Sequence, residues 1–558
     1  MHDIVFKNAL VLDGTGGPSA IEDVAIEDGR ICAIGRNLHG PAREIVDADG
    51  LALMPGIIDS HTHYDAQITW DPRVRPSPTL GVTTVVIGNC GFTIAPCRPE
   101  HRDLTMRNLT QVEGMSLDAL SRGIVWDFET FPQYLAQLAR RGSAVNVAAY
   151  VGHSSVRVYA MVDDAAKRSA TDAEIAQMRE IVHEAMQAGA VGFASSTSPA
   201  HNGEGGLPMP SRLADERETR ALVEAMGESG RGVYMLTKGG HTRVPFLESL
   251  AATSGRPVMI AALLHNGTNP QAVFADLDAI AAANGRGHRL IGQVSCCPLT
   301  MDFTLHSPYP FEGLQSWKPA LGLQGDALKD VLASRAFRDG LRSELAAKAD
   351  FRLFNGEWHR VEIVESASAP RHEQQTVATV GAAERRDPLD VMLDLALADD
   401  LETVFTALLL NSDEEAVGRM LNHPHSLVSL SDAGAHLTFF NDAGFGLHLM
   451  GHWARERGTM SMSEAVRRLT SQPAAVFGMR DRGLIHEGHA ADLLLFDPTT
   501  VARGPKRRVF DLPGGAPRLT TDAVGVHGVW VNGQQIADGA GLLDAAPLAG
   551  RLLTQFSA

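Results

Sequence analysis

The sequence lacks the features that mark secreted, membrane-spanning or nucleic-acid-binding proteins. Five cysteines in 558 residues are too few, and odd in number, for a disulfide framework. There is no basic tract, and the net charge of −17 makes nucleic acid and anionic membrane surfaces poor partners. The N-terminus shows no signal-peptide pattern, and no apolar run is long enough to span a membrane. We therefore expect a cytoplasmic protein.

The composition is that of a chain with a large buried core. Hydrophobic residues make up 44% of the sequence and charged residues 21%. A length of 558 residues exceeds one ordinary domain but suits a large barrel with an accessory domain.

Both ends of the chain read as short strands. Near the N-terminus, apolar runs at 4–6, 10–12, 24–26 and 31–34 include a hairpin signal around Asp28-Gly29. Near the C-terminus, the run 526–531 leads into Asn532-Gly533, a second hairpin signal. Because domain termini often lie close together, we predict that 1–52 and 484–558 form one small antiparallel β domain.

Between the ends, 53–483, short apolar runs alternate with helical patterns. The predicted strands are 53–60, 83–88, 145–152, 190–194, 232–237, 257–264, 288–295 and 427–431. The predicted helices include 171–189, 214–228, 271–284 and 462–470. This alternation favours parallel βαβ units, and eight such strands would complete a (β/α)8 TIM-like barrel of the α/β class. The interval 301–426 is too long for one connection and is expected to hold a helical excursion, with a mobile loop at 365–388.

Two histidines close the first of these strands. In a strand, residues i and i+2 point to the same face, so His61 and His63 project together from the strand end. Two imidazoles in this arrangement suit one divalent metal ion and point to a metal-dependent hydrolase.

Other polar residues also stand at strand ends. Cys90 is a candidate thiolate ligand rather than an ordinary buried thiol, and His265 is a candidate ligand rather than a core histidine. Asp432 is a candidate catalytic residue, although a turn-forming aspartate would look the same. His153 either orients substrate or caps its strand.

Several motifs together resemble those of amidohydrolases. They are Pro55-Gly56-Ile57-Ile58-Asp59-Ser60-His61-Thr62-His63, Gly88-Asn89-Cys90-Gly91-Phe92, Gly152-His153, Ser431-Asp432-Ala433-Gly434 and the stretch from Arg482 to Leu493. Within that superfamily the chain most resembles the N-acyl-D-amino-acid deacylases, or D-aminoacylases, and the Asn-Cys-Gly element is the specific part.

The resemblance implies a (β/α)8 barrel with a small β-sandwich built from both termini. It also implies one or two zinc ions, held by the residues that match the family's ligands, and an aspartate that acts as the base. The matching ligands are His61, His63, Cys90 and His265, and the matching base is Asp432.

The sequence departs from the family pattern in two respects, its metal ligands and its substrate-binding cations. The family has a histidine ligand on strand five, and its place here is Thr237 or Lys238. The ligand could instead be Lys238, as an amine or a carbamate, or His241. In a third alternative neither residue is a ligand, and the metal site is smaller. The lysine after the strand-six histidine and the arginine past the strand-eight aspartate, which hold the substrate carboxylate in the family, are absent. Arg157 or Arg243 is an alternative source of that charge.

The missing cations predict an altered substrate. Phe439, Phe440 and Asp442 occupy the region past Asp432, and they suit a neutral, largely apolar amide or one that bears an amine. The alternative for Phe439 and Phe440 is that they only pack beneath the loop.

The sequence as a whole predicts a zinc-dependent hydrolase of a small-molecule amide. Alternatives are a hydrolase of cyclic amides, carbamates or esters, and a catalytically inactive structural paralogue. Self-association into a homo-oligomer is left open.

Overall fold

Eight parallel strands form a single sheet whose spatial order follows the chain. The computed structural model describes residues 1–347, 352–543 and 545–557. The sheet strands are Ile57–Asp59, Val82–Ile87, Asn146–Gly152, Gly192–Ser196, Val233–Thr237, Val258–Leu263, Leu290–Val294 and Ser426–Val428. Their near-continuous burial is expected of parallel strands that are covered on both faces. The α/β, TIM-like barrel is confirmed, with a strand at each of the eight predicted places. The first prediction, 53–60, is too long: Ala52–Pro55 pairs in a second sheet, and only Ile57–Asp59 belongs to the barrel, because the chain passes from one sheet to the other at Gly56.

The first and last strands of this sheet meet just beyond their ends. Thr62 forms a parallel bridge with Ala433, and the His63 amide donates to the Ala433 carbonyl over 2.8 Å. The Ser60 hydroxyl donates to that of Ser429 over 2.9 Å. This closure brings the histidine pair beside the loop that carries Asp432.

Helices surround the barrel. They are Arg102–Glu113, Leu117–Gly123, Phe131–Arg141, His153–Met161, Asp172–Ala188, Glu216–Gly227, Val244–Ser254, Ala272–Gly285, Glu414–Leu421, Phe445–His448, Met462–Leu469 and Ser471–Phe477, with a π-helix at Leu449–Glu456. The four predicted helices are among them. The helix Asp172–Ala188 shows how sequence signals locate the ends of a helix. Thr171 and Glu174 form a capping box at its N-terminus, and Gly189, with φ +113°, ends it.

Strands from both ends of the chain share a nine-stranded sheet. These strands are His2–Val11, Ala20–Glu27, Arg30–Gly35, Ala42–Asp47, Ala52–Pro55, Leu493–Phe496, Val526–Val531, Gln534–Asp538 and Gly541–Leu542. The runs 4–6 and 10–12 are one strand with a register shift between Phe6 and Ala9, rather than two strands. Both predicted hairpins form, and Phe6 packs edge-on against Trp530. The proposed domain limits stay predictions: 1–52, 53–483 and 484–558. The structure does not describe residues 348–351, 544 and 558.

The interval after the seventh barrel strand contains a sheet as well as helices. Its strands are Leu299–Phe303, Val361–Glu365 and Val404–Leu410, and its helices are Gly325–Ala333, Arg335–Ala346, Val377–Glu384 and Pro388–Ala398. Phe311 and Trp317 stack in its separate apolar core. The stretch 365–388 is not a plain loop, because Thr376 caps the helix Val377–Glu384 within it.

Two further strands, Ala502–Val509 and Arg518–Val524, form an antiparallel pair that we call the C-terminal hairpin. Across the described residues, no helix has the length and apolar character needed to cross a membrane.

Candidate metal centre

His61 and His63 turn the same nitrogen atom towards a common point. His61 Nδ1 lies 2.7 Å from Gln293 Oε1 on the seventh barrel strand, and His63 Nδ1 lies 3.0 Å from Glu113 Oε1. Because an amide oxygen only accepts, His61 Nδ1 carries the proton and Nε2 has a free lone pair. The partners behind the two rings therefore leave both Nε2 atoms facing the centre.

Cys90 reaches this point from a strained turn after the second barrel strand. Its Sγ lies 3.6 Å from His61 Nε2, and its backbone has φ +58°. The neighbouring Gly91 has φ +78°, and a Cβ there would lie 2.5 Å from the Ala194 carbonyl oxygen. Glycine at position 91 is thus required by both φ and space, and the tight turn aims the thiol inward.

Asp432 completes the arrangement from the loop after the eighth barrel strand. One of its oxygens, Oδ1, lies 3.2 Å from His61 Nε2 and 3.6 Å from His63 Nε2. Asp432 has φ +47°, and Gly434 has no room for a Cβ, which would lie 2.7 Å from the His63 backbone. This close backbone approach fixes the carboxylate against the histidine pair.

The donor set fits a zinc ion. The ligand atoms of His61, His63 and Cys90 all lie within 4.8 Å of one another, and all three residues are buried. Two imidazole nitrogens and one thiolate are ligands that zinc prefers, and they leave room for a carboxylate or a water molecule.

The ionisation of the metal-free centre also suits a cation. Burial alone would lower the pKa of His63, but the Glu113 and Asp432 carboxylates raise it well above its ordinary value. Burial alone would raise the pKa of Cys90 and of Asp432, yet the neighbouring imidazoles lower both. A centre with these two anionic donors attracts positive charge.

Sequence reasoning did not identify Glu113 or Gln293. Glu113 ends the helix Arg102–Glu113, is 2% exposed and approaches a metal-ligand candidate only through the folded chain. Gln293 lies within an apolar strand run, and the one available signal was a polar residue at a position where such a run is otherwise apolar.

The fifth and sixth strands do not bring a third imidazole to this cluster. Thr237 Oγ1 lies 3.1 Å from Cys90 Sγ, whereas Lys238 is paired with Asp276 at 3.0 Å. His241 is exposed, beyond the strand end. His265 is buried, its backbone forms hydrogen bonds with Asn411, and its ring lies near that of Phe274. Among the described residues, it is not part of the cluster of metal-ligand candidates formed by His61, His63 and Cys90.

The residues expected to bind substrate have other partners. His153 Nδ1 lies 2.8 Å from Ser195 Oγ and Nε2 lies 2.9 Å from Glu218 Oε1, so both ring nitrogens are occupied inside the protein. Phe439 and Phe440 belong to the core of the excursion, and Phe439 stacks on Tyr309. Asp442 is paired with Arg503.

Comparisons with known proteins identify the family of the chain. The model of the family described as "Amidohydrolase family" matches residues 44–537. The chain is 30% identical to N-acyl-D-aspartate deacylase of Alcaligenes xylosoxydans xylosoxydans, over 96% of this chain and 92% of the relative. It is 28% identical to D-aminoacylase of the same organism, over 96% and 94%.

A solved structure extends the comparison to three dimensions. N-acyl-D-glutamate deacylase from Bordetella bronchiseptica, complexed with zinc and a phosphonate that mimics the tetrahedral intermediate, superposes with a TM-score of 0.67. It is 26% identical, and the match covers 99% of this chain and all of that one. The chain belongs to the amidohydrolase family and is a D-aminoacylase-like hydrolase that acts on carbon–nitrogen bonds other than peptide bonds.

Proposed function

We propose that this protein is a zinc-dependent hydrolase that cleaves an N-acyl amide, with Asp432 as the general base. The observation that carries the proposal is the convergence of two imidazoles, one thiol and one carboxylate at the same end of the barrel. A structural paralogue without activity would have no need of the strained backbone at Cys90 and Asp432.

His61, His63 and Cys90 would hold the ion. When bound, zinc lowers the pKa of a water molecule and polarises a substrate carbonyl. Asp432 Oδ1 accepts a proton from the attacking water and then passes it to the leaving nitrogen. The pKa of Asp432 lies below its ordinary value, because histidine contacts outweigh burial, so the carboxylate is ionised at neutral pH.

We propose one ion at this centre. Thr237 stands beside Cys90 where a further ligand would be needed, and the Lys238 amine is engaged with Asp276. The ion pair of Lys238 with Asp276 gives no support to a carbamate at Lys238. Such a carbamate would have favoured a hydrolase of cyclic amides.

The substrate is proposed to be altered relative to the D-aminoacylases. Asn266 and Gly267 follow His265, and an acid, Asp442, lies past Asp432 where the family pattern has an arginine. A cation that would hold a substrate carboxylate is therefore missing at both of these positions.

Metal analysis and a substrate panel test the proposal. We expect one zinc ion per chain, and hydrolysis of linear N-acyl amides that is faster than that of cyclic imides or esters. Removal of the metal with a chelator should abolish the activity, and zinc should restore it. Full activity in metal-free protein would overturn the assignment, whereas two ions per chain would refute only the single-ion centre.

A further inference from the structure

His201 lies beside the candidate metal centre, on the loop that follows the fourth barrel strand. That strand ends at Ser196, and the His201 ring packs edge-on against Phe92, with the ring centroids 4.9 Å apart. Phe92 follows Cys90 in the same tight turn. Burial lowers the pKa of His201 to about 4, and three charged groups of the centre also act on it: Glu113, His63 and Asp432. The ring therefore stands within electrostatic reach of the centre, where the barrel strands end.

The loop fixes the position of His201. Its amide donates to the Ser198 carbonyl over 3.1 Å, and its carbonyl accepts from the Met209 amide over 3.2 Å and from Arg212 over 3.0 Å. Together with the Phe92 contact, these bonds hold both the backbone and the ring. A side chain that is ordered in advance can meet a reacting group without a further cost of ordering.

The hydrogen bond with Ser196 decides which ring nitrogen of His201 carries the proton. Ser196 Oγ lies 2.7 Å from His201 Nδ1, and it accepts from the Ser198 amide over 3.1 Å. Ser196 is buried, and among the described residues Nδ1 is the one acceptor for its hydroxyl hydrogen. Because an unpaired buried hydroxyl is unfavourable, Ser196 donates to Nδ1. In the neutral ring the proton then lies on Nε2.

His201 Nε2 is the polar atom of this residue that is left over. It has no hydrogen-bond partner within the described part of the chain, and the residue is half-buried. The side chain thus presents a fixed N–H donor next to a centre whose donor set suits a zinc ion. Such a donor suits an oxygen atom on which negative charge develops during a reaction.

We infer that His201 Nε2 donates a hydrogen bond to the carbonyl oxygen of the scissile amide and stabilises the negative charge that develops there. The inference rests on the proposed function, and it adds a second catalytic residue to Asp432. When the oxygen of water adds to the carbonyl carbon, the carbonyl oxygen gains the charge. When the C–N bond breaks, the carbonyl re-forms and the nitrogen takes the proton that Asp432 had accepted. His201 keeps its own proton throughout.

Acetanilide and its N-phenyl methylphosphonamidate analogue test the inference, because the analogue has the charged tetrahedral group of the transition state. His201→Phe keeps a ring against Phe92 but removes the donor. It should lower kcat for acetanilide by about 100-fold to 1,000-fold with little change in KM. The affinity of the zinc-loaded protein for the phosphonamidate, measured by calorimetry, should fall by at least about 10-fold. His201→Gln, which retains an N–H donor, should restore part of both losses.

Two further variants guard against a purely structural explanation. Ser196→Ala should give a smaller loss of the same kind, because the ring can then place its proton on Nδ1. His183→Phe is the matched control, since His183 lies on the helix Asp172–Ala188 with 43% of its side chain exposed, and it should change neither kcat nor affinity. A histidine that only supports the loop would affect acetanilide and the phosphonamidate alike. Equal losses for the two compounds, or no loss for either, would overturn the inference.

Calorimetry also distinguishes this inference from the proposed function. Phosphonamidate binding that His201→Phe weakens, in a protein that hydrolyses no amide, would refute the proposed activity and support the donor at His201. Hydrolysis of acetanilide with the same kcat in the unaltered protein and in His201→Phe would refute the donor and leave the proposed activity in place. Failure of the zinc-loaded, unaltered protein to bind the phosphonamidate would also refute the donor.

Discussion

Thr237 Oγ1 lies 3.1 Å from Cys90 Sγ, so the fifth barrel strand reaches the metal centre with a hydroxyl group. The next residue, Lys238, turns away towards Asp276. Adjacent residues of an extended chain point to opposite faces, and this alternation decides which of the two could contact an ion bound at the candidate centre. This geometry favours a role for Thr237 as a partner of the Cys90 thiolate. It does not favour a role for Lys238 as a metal ligand.

Thr237→Val is expected to weaken zinc binding by about 10-fold, near the lower end for loss of a group that supports a ligand. Lys238→Met should keep its zinc, because it loses only a partly exposed ion pair worth about 1 kcal/mol or less. Competition with a chromophoric chelator measures both affinities. Loss of zinc from Lys238→Met, with normal binding by Thr237→Val, would show that the lysine is the ligand; His241→Ala serves as the exposed control.

Asp432→Asn should lower kcat by about 100-fold to 10,000-fold, the usual contribution of a general base. The zinc content should stay near one ion per chain, because His61, His63 and Cys90 remain. Kinetics and metal analysis of the same preparation separate the two effects. A variant that retains both zinc and full activity would remove Asp432 from the mechanism.

Glu113→Gln is expected to lower zinc affinity or activity by about 10-fold to 100-fold. The reason is that Glu113 Oε1 lies 3.0 Å from His63 Nδ1 and orients the ring. Glu204→Gln is a suitable control, since Glu204 is an exposed acid that pairs with Arg107 on the same helix as Glu113. If the two variants have the same zinc affinity and activity, Glu113 has no role in positioning the ligand.

Glu218→Gln should destabilise the fold rather than change substrate binding. Glu218 is fully buried between His153 and Arg157, and its removal leaves the arginine charge uncompensated, at a cost of about 3–5 kcal/mol. Urea denaturation measures this free energy. Asp164→Asn, which breaks an exposed pair with Arg168, should cost about 1 kcal/mol or less. A rise in KM without loss of stability would instead place this network at the substrate.

Most of the barrel could be predicted because its signals are local. A parallel strand buried on both faces gives an apolar run, and helix caps such as Thr171 with Glu174 mark helix ends. The sheet within the excursion could not be predicted in this way, since Leu299–Phe303 and Val404–Leu410 pair across about a hundred residues of chain.

The sequence by itself determined the main donors of the site. His61 and His63 alternate just past the end of one strand, and Cys90 and Asp432 stand after strand ends beside glycines that allow tight turns. Only the tertiary structure decided what surrounds them. Glu113 behind His63, Thr237 beside Cys90, and Arg503 paired with Asp442 all depend on contacts between distant segments. Such contacts leave no period or spacing in the chain, because they are made when the barrel closes and the C-terminal hairpin packs against the loop that follows the eighth strand.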